Sequence, residues 1–250
     1  MEKNRINNAF YETLGPLWYE GSNHPAALLR AENRLRTPWI RDEIKRRYAS
    51  PVSILDIGCG AGILANALAE DGHRVFGIDL SEASLNLAKE NDLTASVDYR
   101  LADACALPFE DGLFDAVSAM DVLEHVETPE RLIREAARVL KPGGIFFFHT
   151  FNRNFLTYLI VIKGVEWFVR NTPKQMHVYP LFIKPSELTR YCRINNLSIE
   201  KLHGFRPKFL SFPFIKMLLT RTVSDSFSFR FSKSLATGYC GIALKGAHSV

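Results

Sequence analysis

The sequence has no uninterrupted apolar run near the roughly 20 residues that a helix needs to cross a bilayer, although 47% of its 250 residues are hydrophobic. A conventional membrane span is therefore not expected. Met1 to Leu14 is polar and lacks the apolar centre of a secretory leader, so no signal peptide is expected. Cysteine is scarce, with four in the chain. Cys59, Cys105, Cys192 and Cys240 form no CxxC pair and match no zinc spacing. They read as reduced thiols, which suits a cytoplasmic protein. Dense blocks of Lys and Arg are missing as well. The formal charge of +4 is too small to argue for nucleic acid, and no such partner is expected. A small acidic ligand or an anionic membrane surface fits that charge equally well. Internal repeats and low-complexity segments are also absent.

What remains is a chain of ordinary globular composition, long enough to fold without disulfide or metal staples. Residues 1–50 read as an N-terminal helical cap, broken at Pro16, Gly21 and Pro25 and interrupted near Pro38. From Ser53 the pattern changes, and residues 51–250 read as one domain. Short apolar runs (Ser53–Ile57, Arg74–Asp79, Ser96–Leu101, Phe114–Met120, Ile145–Thr150) alternate with amphipathic helical stretches such as Ile63–Glu70 and Arg131–Leu140. Pro185–Asn196 reads as a further helix, with Leu197–Leu202 and Tyr239–Leu244 as the last strands. Strands alternating with helices imply an α/β fold built on a parallel sheet. Two segments break the rhythm, at about 151–183 and 204–237, and read as insertions covering a cleft.

Ile54-Leu55-Asp56-Ile57-Gly58-Cys59-Gly60-Ala61-Gly62 ends a strand and opens a helix. Glycines there let the backbone turn sharply and approach a ligand, and a helix N-terminus offers free amides. The spacing is GxGxG, with Ile63 where a dinucleotide fingerprint needs its last glycine. A tight turn alone would also explain the glycines. Asp79, at the end of the next strand about 20 residues on, decides between these readings. A carboxylate at that position can accept hydrogen bonds from both ribose hydroxyls in the crevice beyond the strand ends.

Asp56–Gly62, Asp79, Asp103-Ala104 with Leu107-Pro108-Phe109, Phe114-Asp115 and Lys141-Pro142-Gly143-Gly144 together resemble the class I S-adenosylmethionine (SAM) methyltransferases. The resemblance implies a Rossmann-like fold. Its seven-stranded, mostly parallel sheet would have an antiparallel last strand, preceded by N-terminal helices and covered by a helical, aromatic lid. It also implies that the glycine loop (Asp56, Gly58, Gly60, Gly62) meets the methionine part of SAM and that Asp79, with Leu80 beside it, takes the ribose. Asp103 and Ala104 would meet the adenine, and Met120 would border the cofactor.

Asp121-Val122-Leu123-Glu124-His125 follows the fourth strand. A helix would bring Asp121, Glu124 and His125 to one side, through i, i+3 and i+4 spacing. Two carboxylates and an imidazole suit a divalent metal; orientation of the loop, or proton transfer without metal, is the alternative. With Phe151-Asn152-Arg153-Asn154, Pro173-Lys174, His177 and Phe182-Ile183-Lys184-Pro185, this segment is similar to the ubiquinone-biosynthesis O-methyltransferases. The likeness runs from about residue 30 to 190. It implies that Arg36, in Asn33-Arg34-Leu35-Arg36, contacts the carboxylate end of SAM, and that Mg²⁺ sits on Asp121, Glu124 and His125, with Asp121 where the family has Glu. The acceptor would be a catechol or hydroxylated ring, including one that carries a polyprenyl tail, and His125 or His177 the base. Methyl acceptors at N, C or carboxyl groups, and SAM binding without catalysis, are the competing readings.

Phe155–Ile162, continuing through Trp167 and Val169, is too short and too charged to span a bilayer. It can lie in the membrane interface or form a lid on the cleft, and the two are compatible. Phe209–Phe231 can belong to the same cover. The expectation is a cytoplasmic protein, peripheral at the inner face of the membrane.

Overall fold

The computed structural model describes residues 7–247. Eight strands form one sheet: β1 (Ser53–Ile57), β2 (Arg74–Asp79), β3 (Asp98–Leu101), β4 (Phe114–Met120), β5 (Leu140–Phe151), β6 (Leu197–Pro207), β7 (Phe229–Ser232) and β8 (Gly238–Lys245). Their order is β3-β2-β1-β4-β5-β8-β6-β7. The chain fills one half outward from β1 and then returns to its other side with β4, so the order reverses between β1 and β4. A ligand crevice opens at such a reversal, beyond the carboxyl ends of the strands. β1 to β5 run parallel, and β8 inserts antiparallel between β5 and β6.

The central strands are apolar on both faces because helices cover both. On one face Phe146 and Phe148 pack with Leu132, Ile133 and Ala136 of the helix Pro129–Val139 and with Leu188 of the helix Pro185–Ile194. On the other, Phe147 and Ile145 pack with Leu64 and Leu68 of the helix Ile63–Glu70 and with Ile40 and Ile44 of the helix Ala26–Arg47. That long helix runs through Pro38; the ring costs one backbone hydrogen bond, and the buried apolar side keeps the helix intact. Its residues share a core cluster with Val52 and Ile54 of the sheet side.

Two elements differ from the sequence reading. β5 starts at Leu140 and not at Ile145, so Lys141-Pro142-Gly143-Gly144 is an irregular stretch of that strand. Its pairing with β4 shifts register between Phe114 and Ala116. The 204–237 segment is also not simply a loop. β6 extends to Pro207, the helix Phe212–Thr220 follows, and β7 returns to pair Gly204 with Ser232 and Phe205 with Phe231. The sheet therefore has an eighth strand. Alternation explains it: Phe229 and Phe231 point to one side and Arg230 to the other.

Candidate functional site

The turn after β1 is held by its own backbone. The amides of Gly58 and Cys59 both donate to the Ile78 carbonyl, and the Gly60 amide donates to Asp79 Oδ2 at 2.9 Å. Gly58 and Gly60 both have positive φ. A Cβ on Gly58 would meet Val122 at 2.7 Å, and one on Gly60 would meet the Trp18 ring at 2.7 Å. The loop is thus pinched between β4's exit and the N-terminal segment. Asp79 also accepts from the Ser81 amide. Burial raises its carboxyl pKa, opposed by those backbone donors. Asp56 is buried, with Ser118 Oγ donating to it at 2.7 Å, and burial pushes it up to about 7.

A cavity of about 410 Å³ lies over this turn. Arg36, Asp56, Gly58, Gly60, Asp79, Leu80, Asp103, Ala104 and Met120 all line it, as the motif reading places them. Gly62 does not. It caps the following helix with φ of 79°, and a Cβ there would strike the Tyr99 hydroxyl at 2.3 Å. Its requirement for glycine comes from packing behind the loop. Tyr11, Trp18 and Asn33 also line the cavity. Tyr11 and Trp18 were not singled out from the sequence, because nothing in the N-terminal run of short pieces shows which side chains turn inward.

The segment after β4 does not form the expected α-helical face. Asp121 has φ of 57°, a left-handed conformation costly for a residue with a Cβ. A short 3₁₀ turn, Leu123–His125, follows. Asp121 is drawn away from its neighbours: Arg36 Nη1 and Nη2 donate to its two oxygens at 2.7 and 2.5 Å, and His149 Nδ1 bonds it as well. Arg36 is 1% exposed. With the guanidinium and the imidazole beside it, the Asp121 carboxyl is held well below its usual range despite burial. Glu124 turns the other way and accepts from Thr150 Oγ1 at 2.7 Å, leaving its buried Oε1 without a partner.

The Mg²⁺ ligand set expected from the sequence is therefore not assembled. Among the described residues, potential ligand atoms instead fall into two groups, each within 4.8 Å: Glu124, His125 and His177, and Glu32, Asp121 and His149. Each offers one or two carboxylates with imidazole nitrogen, and in the second the Arg36 guanidinium already occupies the acid. Magnesium prefers an all-oxygen, octahedral shell, and neither group fits it.

A second cavity, about 330 Å³, opens beside the first. Tyr11, Leu29, Asp121 and His125 line both. His177 and Glu32 join them at this polar end; the remainder is walled by apolar side chains such as Leu159, Phe168, Phe209, Phe214 and Phe229. The His125 and His177 rings are 5.6 Å apart, and the Tyr11 hydroxyl lies 3.4 Å from His125 Nε2. Burial lowers the pKa of His125 to about 4 and that of His177 to about 3, so both imidazoles are neutral near pH 7. The chain thus joins a nucleotide-type crevice to an apolar pocket, with unprotonated imidazoles at the junction.

A family profile described as a methyltransferase domain matches residues 55–148. The ubiquinone biosynthesis O-methyltransferase of Azoarcus sp. is 41% identical over 175 residues, covering 69% of this chain and 74% of that protein. The protein of the same name from Thiobacillus denitrificans is 40% identical, covering 78% of this chain and 84% of that one. Magnesium protoporphyrin IX methyltransferase from Synechocystis PCC 6803, solved with bound SAH, superposes with a TM-score of 0.67 over 96% of each chain; at 17% identity it shows the fold alone. The sheet order, the glycine turn and Asp79 at the end of β2 define a class I SAM-dependent methyltransferase. Within that class, the chain belongs to the ubiquinone-biosynthesis O-methyltransferase family.

Proposed function

We propose that this enzyme methylates a ring hydroxyl of a catechol-type quinone precursor carrying an apolar tail, as a step of ubiquinone biosynthesis. The observation that carries this reading is the meeting of the two cavities at Tyr11, Leu29, Asp121 and His125, polar at the junction and apolar beyond. A ring at the junction with its tail along the lid suits that division of polarity.

In this reading the glycine loop, with Asp56, Gly58 and Gly60, cradles the methionine part of SAM. Asp79 takes the ribose hydroxyls with Leu80 beside it, Asp103 and Ala104 meet the adenine, and Met120 borders the sulfonium side. Arg36, which lines the first cavity, meets the carboxylate end of the cofactor. The acceptor oxygen attacks the sulfonium methyl in line and S-adenosylhomocysteine leaves. Alignment in a water-poor pocket supplies much of the rate. His125 faces both cavities and, as a neutral imidazole, takes the hydroxyl proton; His177 stands behind it as the second acceptor. A divalent cation, if bound, would sit on Glu124, His125 and His177, donors closer to zinc or manganese chemistry than to magnesium. The proton transfer assigned to His125 needs its free lone pair and so belongs to the enzyme without a cation there.

The enzyme also sits on the membrane surface in this reading. No described helix is long and apolar enough to cross a membrane. The two lids share one apolar cluster, joining Val165, Phe168 and Val169 to Phe214 and Met217. Their outer sides carry Phe155, Trp167, Leu210, Phe212 and Leu219, all more than half exposed, with Leu210 at 100%. Lys208, Lys216 and Arg221 lie among them in sequence, as expected of an interfacial element on anionic lipid.

The test of the chemistry is mass detection of product from SAM and a panel of alkyl- or prenyl-tailed catechols. One added methyl on a ring oxygen is expected; methylation confined to nitrogen, carbon or carboxyl acceptors would overturn the reading.

A further inference from the structure

His125 is gripped by the N-terminal segment. Asn8 directly precedes the short helix Ala9–Glu12, a place where an asparagine ordinarily caps the helix by accepting from a backbone amide. Its side chain makes no such bond. Both ends of the Asn8 amide go to His125 instead. Nδ2 donates to the His125 carbonyl oxygen at 3.3 Å, and Oδ1 lies 3.3 Å from the ring's Nδ1. The first contact fixes which end of the amide is which, because a carbonyl oxygen only accepts. Oδ1 only accepts as well, so the proton between it and the ring belongs to Nδ1. A neutral imidazole carries one ring proton, which leaves Nε2 with its lone pair. On that side the Tyr11 hydroxyl stands 3.4 Å away and donates to Nε2. Asn8 lines only the cofactor cavity, whereas Tyr11 lines both. The lone pair is thus turned toward the neighbour that the two cavities share.

We propose that Asn8 is a positioning residue that sets the tautomer of His125, keeping the ring proton on Nδ1 so that Nε2 is free to receive the acceptor's hydroxyl proton. The proposal rests on the reading of His125 as the base and names what prepares it. The hydroxyl's O–H bond breaks and an N–H bond forms at Nε2. The ring then carries both protons, Nδ1–H still bonded to Asn8, and water takes the added proton after S-adenosylhomocysteine leaves. The oxygen keeps the electron pair that attacks the sulfonium methyl. Two further observations support the proposal. The segment is pinned on both sides of Asn8: the Asn7 amide donates to the Gln175 carbonyl of the first lid at 3.1 Å, and Ser84 Oγ of the helix Glu82–Glu90 donates to the Tyr11 carbonyl at 3.3 Å. The His125 ring also packs edge-on against the Tyr11 ring, with centroids 5.5 Å apart, which opposes the flip that would exchange its two nitrogens. An imidazole without such a partner populates both tautomers. In the Nε2–H form the nitrogen beside Tyr11 has no lone pair to offer, and a base held in the wrong tautomer loses most of its effect.

The experiment uses the full chain with histidine labelled by heavy nitrogen in the ring, read by NMR near pH 7, and turnover of an alkyl-tailed catechol read by product mass. His125→Gln identifies the His125 signals by their loss. The wild type should show a protonated Nδ1 and an unprotonated Nε2. In Asn8→Ala those signals should move to a mixture containing the Nε2–H form. The same variant should lose at least ~10-fold in kcat, with acceptor KM and SAM affinity within ~3-fold of wild type. Asn8→Asp keeps an oxygen opposite Nδ1 and should recover the tautomer and most of kcat. Asn8 is exposed, so its removal leaves the core intact. An Nε2–H ring in the wild type, or identical ring signals in wild type and Asn8→Ala, would overturn the proposal. So would a loss in which SAM affinity and kcat fall together while the tautomer is kept, since Asn8 would then only support the cofactor cavity. The NMR arm needs no turnover. A tautomer that follows Asn8 while kcat does not would uphold its control of the ring and defeat instead the reading of His125 as the base.

Discussion

Asp56 and Gly60 show how single residues carry the cofactor turn. Asp56 accepts from Ser118 in a fully desolvated position, and its carboxyl pKa is pushed up by burial, with Asp79 adding to the effect, to about 7. The folded chain therefore keeps a proton that the unfolded chain releases near pH 4. Where the native state binds more protons than the unfolded one, stability falls as pH rises. Stability should decline between about pH 4 and 7 and level off above. Asp56→Asn should flatten that decline by on the order of 1–4 kcal/mol, read as the pH dependence of the urea midpoint without cofactor; identical profiles for the two proteins would sink the idea. Gly60 is limited by sterics. Its φ of 52° and the Trp18 ring, 2.7 Å from where a Cβ would lie, leave no room for a side chain. Gly60→Ala should cost about 1–3 kcal/mol of stability and weaken SAM binding at least tenfold, measured by melting and calorimetry. Wild-type SAM affinity in that variant would mean the loop yields more easily than its packing indicates. Both residues were legible from the sequence, because their requirements are local: a turn, a positive φ, a strand end. Arg36 was legible as a residue, but its bidentate grip on Asp121 was not, since the two are 85 positions apart.

At the level of elements, the two lids and the edge hairpin distinguish this chain from a bare methyltransferase sheet. β7 exists because Phe229 and Phe231 pack inward beside Phe205 while β6 offers a free edge. Gly204 makes the pairing possible: a Cβ would lie 1.7 Å from the Ser234 carbonyl oxygen, which is rigid backbone. Gly204→Val should therefore detach the hairpin. We expect faster amide exchange across Phe229–Ser232 and weaker acceptor binding, with SAM binding retained; unchanged exchange would show that the strand end tolerates a side chain. The exposed face of the helix Phe212–Thr220 belongs to the membrane reading. Replacing Leu210 and Phe212 together by Ser should leave turnover of a short-tailed acceptor near wild type. It should also reduce co-flotation with vesicles containing anionic lipid severalfold. Equal flotation of both proteins would place the contact elsewhere. The sequence showed that the 204–237 segment covers something. Its division into strand, helix and strand was hidden, because an aromatic-rich run satisfies either period until a partner edge is known.

The whole molecule separates two tasks across the reversal in strand order. The β1–β3 half builds the cofactor crevice from strand ends and turns. The β5–β8 half, with the lids and the N-terminal helix, builds the apolar cavity. The halves meet at Asp121, which is held in a left-handed conformation by Arg36 from one element and His149 from another. Strain of this kind persists only where surrounding contacts over-determine it. SAM at about 100 times its Kd should stabilise the fold by roughly 2.7 kcal/mol. A dihydroxy acceptor should add a further shift in melting temperature when SAM is present, because it fills a cavity bordered by the same Asp121 and His125. A melting temperature that does not respond to the acceptor would argue that the two cavities are not filled together.

The sequence by itself determined the sheet-forming segments, the glycine turn, the acid at the end of β2 and hence the class of chemistry, because each depends on periodicity or on neighbours within one supersecondary unit. Tertiary structure decided the second cavity. Asp121, Glu124 and His125 read as one cluster along the chain, yet a positive φ at Asp121 turns it toward Arg36 and His149, while Glu124 faces Thr150. Tyr11, Glu32 and His177 reach the same pocket from distant segments. Spacing along a strand or helix is set by backbone geometry, whereas the company a buried charge keeps depends on which remote elements pack against it.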